Sequence, residues 1–95
     1  MKSSIDSPET LGRYVRAARM EQRLTRDELA SATGFSPKFI SQVEGGKPTA
    51  QIGKVLTLLT ELGIKLRADA SIPISENAFE RASRRRRSAV GEPKA

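Results

Sequence analysis

The chain contains no cysteine and no histidine. Without cysteine there can be no disulfide, no thiolate zinc site and no thiol nucleophile, and without histidine there is no imidazole base. Any catalysis would have to run on serine, lysine or carboxylates, and the sequence does not gather these into a recognisable pocket. Asp27 and Glu28 are adjacent, but they stand where a helix begins, a place that favours acidic residues on electrostatic grounds alone. Long apolar runs are missing too, since nothing approaches the roughly 18–20 residues that span a bilayer. The opening residues, Met1-Lys2-Ser3-Ser4-Ile5-Asp6, lack the hydrophobic stretch of a secretory signal. The expectation is a soluble cytoplasmic protein that is not an enzyme, holds no cofactor or metal and has no membrane partner.

What the chain does have is positive charge. Its 95 residues carry a formal net charge of +6, with a sequence pI of about 10.3. That length holds one small domain and a tail, and a domain so small gains from burying further surface in a dimer. The charge favours a polyanionic partner: DNA, RNA or an anionic membrane. It is unevenly spread. Residues 1–79 hold 11 Lys/Arg against 9 Asp/Glu, or +2, whereas residues 80–95 hold 6 against 2, or +4. A folded part that is only mildly basic must bind through where its charges sit.

Punctuation along the chain predicts an all-α domain. Ser7-Pro8-Glu9 is a helix start, with a capping hydroxyl, a proline at the first helical position and an acid for the dipole. Leu11, Val15, Ala18 and Leu24 follow in helical period. Thr25-Arg26-Asp27-Glu28 is a capping box opening a short helix that buries Leu29 and Ala30 and stops at Gly34. Ser36-Pro37 starts a third helix through Phe39, Ile40, Val43 and Glu44, ended by Gly45-Gly46. Thr49 is the expected cap of a fourth, with Ile52, Val55, Leu56, Leu59 and Leu62 as its apolar stripe and Gly63 as its stop.

After Gly63 the period changes. Ile64, Leu66 and Ala68 alternate with Lys65, Arg67 and Asp69, the pattern of a short strand with one buried face. One strand makes no sheet, so either it pairs with a partner molecule or it is not a strand. The domain is thus expected to span residues 7–69. Residues 70–95 read as a basic, disordered tail in which Ser75 to Ala82 could form a helical turn or two. The run Arg84 to Arg87 leaves three readings open: a non-specific phosphate clamp, a docking segment for a protein, or a solubilising tail.

Two short helices joined by a tight glycine-containing turn, the second capped and exposed, form a helix-turn-helix from about Thr25 to Gly46. Such a unit lays its second helix in the major groove of DNA, where base edges are distinguishable. The stretch Thr25-x-x-Glu28-Leu29-Ala30-x-x-x-Gly34-Phe35-Ser36-x-x-x-Ile40-Ser41-x-Val43-Glu44-x-Gly46 resembles the phage-repressor/Cro-like, or XRE-type, helix-turn-helix family over roughly Leu11 to Leu62. The resemblance implies a five-helix lambda-repressor-like domain. Phe35 to Thr49, followed by Leu62-Gly63-Ile64-Lys65-Leu66, is similar to the HipB-type antitoxins. That narrower resemblance implies a homodimer whose strand, Ile64, Leu66 and Ala68, pairs across a two-fold axis. It further implies repression at a palindromic operator and a HipA-type serine/threonine kinase toxin as partner.

Roles carry over by position. Ser36, Pro37, Lys38, Ser41 and Gln42 correspond to the groove-reading positions: Lys38 suits guanine O6 or N7, Gln42 suits adenine, and the Pro37 ring suits a thymine methyl. Thr25, Arg26 and Lys47 correspond to phosphate contacts. Arg23 and Lys54 are further cations that serve either phosphate or solvent. Arg26 departs from the glutamine common at its position, a change expected to keep the phosphate contact and alter the bracing of the reading helix. Phe39 departs from a hydroxyl residue and is expected to pack. Arg19 and Glu44 correspond to a partly buried salt bridge. The alternatives are a stand-alone regulator of the same fold and a protein-binding module on the same scaffold whose exposed face only meets solvent.

Overall fold

The computed structural model describes residues 3–91, with side chains described through Arg84. Five helices follow one another: α1 (Pro8–Glu21), α2 (Arg26–Thr33), α3 (Pro37–Glu44), α4 (Ile52–Glu61) and α5 (Glu76–Gly91). No strand occurs among the described residues.

Local capping explains where the first three helices begin. The Ser7 hydroxyl accepts from the Thr10 amide at 3.1 Å, and Ser36 accepts from Phe39 at 3.0 Å, each followed by proline at the first helical position. At α2 both halves of the box form: the Glu28 amide donates to Thr25 Oγ1 at 3.0 Å and the Thr25 amide donates to Glu28 Oε1 at 2.8 Å. Gly34, at φ +80°, ends α2 in the left-handed conformation that glycine adopts without a Cβ penalty.

Helices α1, α3 and α4 end in one device. The residue after each cap is left-handed (Arg23, Gly46 and Gly63), and its N–H and the next one return to the helix carbonyls. Leu24 bonds to Arg19, Lys47 to Gln42 and Ile64 to Leu59, at 3.1, 3.0 and 2.9 Å. The glycines at positions 46 and 63 fit this geometry, whereas at 23 an arginine bears it.

The core joins all four N-terminal helices: Val15 from α1, Leu29 and Ala30 from α2, Ile40 and Val43 from α3, and Val55, Leu58, Leu59 and Leu62 from α4 and its cap. Leu11, Ala18, Leu24, Phe35, Phe39 and Ile64 pack around it. Gly12 lies where α1 crosses α3. A Cβ there would stand 2.4 Å from the Val43 carbonyl oxygen and 2.6 Å from that of Glu44, so only glycine permits the approach.

Three expectations change. Thr49 does not cap α4; the cap is Gln51, without a side-chain hydrogen bond, because residues 48–50 form a turn that delays the helix to Ile52. The apolar stripe of α4 also differs. Leu58 is fully buried, while Ile52 and Leu56 are 74% and 43% exposed. A leucine-rich helix offers two stripes of helical period, and the core takes Val55-Leu58-Leu59-Leu62. Finally, part of the chain expected to be a disordered tail carries α5. Its start is stabilised locally, with Ser75 Oγ accepting from the Ala78 amide at 3.0 Å, and Arg84 pairs with Glu80 one turn earlier at 3.2 Å. The side chains of Arg85, Arg86 and Arg87 and all of residues 92–95 lie outside what is described, and so does any role of the arginine run.

Candidate nucleic-acid interface

The turn between α2 and α3 sets the site. Gly34 reverses the chain, Phe35 folds back against Phe39 with ring centroids 5.1 Å apart, and Ser36 caps α3 in an exposed position. Ile40, Val43 and Glu44 point into the protein. Helical period therefore sends Pro37, Lys38 and Ser41 to solvent, with Gln42 half-buried beside them. The one acid of α3 is Glu44, and it is buried, so the outward face carries Lys38 with no carboxylate of its own helix to oppose it.

The residues expected to meet phosphate are on the surface. Thr25 and Arg26 are exposed at the start of α2 and Lys47 just beyond α3. Several backbone N–H groups here are already committed: those of Glu28 and Phe39 donate to the Thr25 and Ser36 side chains, and that of Lys47 donates to the Gln42 carbonyl. Of the Lys47 donors, the exposed side chain's ammonium and not the amide is left for a ligand. The Lys54 ammonium lies 5.7 Å from the centre of the Phe39 ring, a cation–π distance, and Phe39 packs on the core beneath it.

Behind the face, α3 is anchored by charge. Arg19 Nε donates to Glu44 Oε2 at 2.6 Å, Arg19 Nη2 donates to Oε1 at 3.1 Å, and Arg19 Nη1 caps the Leu24 carbonyl at 2.8 Å. The carboxylate holds the guanidinium proton tighter than usual, mainly through this hydrogen bonding and against the opposing effect of burial, so Arg19 stays charged at any working pH. Arg26 Nε also donates to Glu44, at 3.0 Å. Sequence reasoning anticipated a changed brace at Arg26 but not its acceptor, since residues 18 apart in the chain meet only after folding.

On the side of the molecule formed by α4 and the segment after it, Leu56, Leu59, Thr60, Gly63, Ile64, Lys65 and Leu66 line a mostly apolar groove. Ile64 is half-buried and Leu66 and Ala68 are exposed.

Residues 10–70 match the family model described as the helix-turn-helix domain. The chain belongs to the helix-turn-helix family. The helix-turn-helix protein is 48% identical over 66 residues to the uncharacterized HTH-type transcriptional regulator y4mF of Sinorhizobium fredii, a match covering 70% of this chain and 87% of that one. Among solved structures it resembles HipB in a complex with an O4 20mer, with a TM-score of 0.68 and 21% identity over 75% of this chain and all of that one. It also resembles a chain of a HipA-HipB-O2-O3 complex, again with a TM-score of 0.68, 21% identity and the same coverage. At such identities these likenesses establish the fold: this helix-turn-helix domain is built as HipB is.

Proposed function

We propose that the protein is a sequence-specific, double-stranded DNA-binding transcriptional repressor acting as a homodimer in the cytoplasm, a binding protein and not an enzyme. The observation that carries this reading is the outward face of α3, where Ser36, Pro37, Lys38, Ser41 and Gln42 meet no exposed acid of their own helix, whose one carboxylate, Glu44, is buried and fixes it from behind. Lys38 and Gln42 supply hydrogen bonds to purine edges, and Thr25, Arg26 and Lys47 hold the flanking phosphates.

Selection of bound sites from random duplexes tests this. The wild type should enrich a palindrome with half-sites about 34 Å, one helical turn, apart. Lys38→Ala should lose about 1–3 kcal/mol of binding and relax preference at one position of each half-site. Equal weakening on every sequence would make Lys38 a phosphate contact, and failure to enrich any site would remove the repressor reading in favour of a protein-binding module.

The dimer reading is supported by the groove beside α4 and by the exposed apolar side chains Leu56 and Leu66 at its edge. The Ile64 N–H bonds back to Leu59, but among the described residues the backbone from Lys65 through Ala68 makes no such bond, and a second copy can complete it as a strand. Leu66→Asp should convert dimer to monomer in sedimentation at micromolar concentration. A dimer that survives it does not use this segment.

The likeness to HipB, seen in complexes with DNA and with HipA, supports the narrower reading of an antitoxin with a HipA-type kinase partner. The relative y4mF supports a transcriptional regulator without specifying a toxin. Co-purification of a kinase with the full chain separates the two.

A further inference from the structure

Glu44, with a side chain 2% exposed, serves two arginines at once. Arg19 is consumed by this task, because Nε, Nη1 and Nη2 all donate to protein acceptors and its side chain is 10% exposed. Arg26 is not. It gives only Nε to Glu44, its side chain is 44% exposed, and among the described residues it makes no other hydrogen bond or ion pair. Two guanidinium charges thus share one carboxylate, leaving a surplus of one positive charge, and the surplus emerges at the solvent end of Arg26. With Nε engaged, the edge of the planar guanidinium left intact is that of Nη1 and Nη2, whose parallel N–H groups match two oxygens of a phosphodiester.

We propose that Glu44 is a positioning residue for the DNA backbone: from the interior it fixes Arg26 through Nε, so that the Nη edge is presented to a phosphate at the start of α2. This rests on the DNA-binding reading above. Two consequences separate it from a merely structural Glu44. Lysine cannot replace Arg26, because a single ammonium cannot serve Glu44 and a phosphate with the same geometry. Removing the buried negative charge should weaken DNA binding, whereas Coulomb attraction alone would strengthen it.

The test uses the full chain as wild type, Arg26→Ala, Arg26→Lys and Glu44→Gln. Each is checked for folding by urea denaturation and titrated with the selected operator and a random duplex over a range of salt. Arg26→Ala should weaken both duplexes about ten- to a hundredfold, a charge-assisted hydrogen bond's worth. It should also lower the salt slope by about one unit per chain bound. Glu44→Gln, where folded, should weaken binding similarly with the charge at position 26 unchanged. Tighter or unaltered binding by folded Glu44→Gln, or by Arg26→Ala, overturns the proposal. If Glu44→Gln does not fold, Arg26→Lys decides: affinity nearer Arg26→Ala supports the proposal, and affinity nearer wild type overturns it. A wild type that binds neither duplex removes the DNA-binding reading instead.

Discussion

Gly12→Ala should cost about 3 kcal/mol or more, at the upper end of what overpacking does. A domain of this size is stable by only about 5–10 kcal/mol, so the loss would remove a large part of its folding free energy. The added methyl meets the Val43 and Glu44 carbonyl oxygens within 2.4 and 2.6 Å, and both are backbone atoms of a helix that cannot yield by turning a rotamer. Relief requires α1 and α3 to separate, which opens the core around Val15 and Ile40. Ordinary helix propensity predicts the reverse, since alanine within a helix is favoured over glycine by about 1 kcal/mol. Gly53 supplies the internal control. A Cβ there meets nothing within 4 Å, so Gly53→Ala should gain about 0.5–1 kcal/mol. Urea midpoints followed by circular dichroism should move in opposite directions for the two variants. A neutral Gly12→Ala would mean that the helix crossing tolerates expansion.

The second large effect is expected at the Arg19–Glu44 pair. Arg19→Met should destabilise by about 3–5 kcal/mol, because it leaves a carboxylate buried with only Arg26 Nε as partner. Replacing both, as Arg19→Met with Glu44→Leu, should recover much of the loss, since an apolar pair of similar volume carries no desolvation penalty. The recovery is incomplete because the Leu24 carbonyl, which accepts from Arg19 Nη1, also loses its donor. A double-mutant cycle by urea denaturation measures the coupling. Additive losses would show that the pair does not act as a unit.

Much of the fold was legible because its signals are local. A hydroxyl, a proline and an acid at Ser7-Pro8-Glu9, the box at Thr25 to Glu28 and the glycine at 34 each act within one turn of chain, where sequence distance equals spatial distance. The same locality set the exposed face of α3, because placing Ile40 and Val43 inward sends Lys38 and Ser41 outward by helical geometry. Features that depend on distant chain were not legible. Gly12 looks like an unfavourable residue in a helix until α3 is laid across it. Leu58 and Leu56 are equally apolar, and only the positions of the other helices decide that the first is buried. Thr49 has a good cap's chemistry but sits in a turn. Basic composition after residue 70 argues against a packed core, yet it does not forbid a helix supported by Ser75 and a Glu80–Arg84 pair.

The ion pairs and the closest backbone contacts of α3 lie near its end. Gly12 touches the carbonyls of Val43 and Glu44, Glu44 is gripped by Arg19 and Arg26, and the backbone of Gly46 abuts Glu9. The opposite end, at Ser36, Pro37 and Lys38, is free of such holds and faces outward. Helix α3 is therefore rooted at its last turn by charge and close backbone contact, and ahead of that turn it is held by the apolar packing of Phe39 and Ile40. On the proposed DNA-binding reading, base edges would be met by the end of the helix that carries no ion pair.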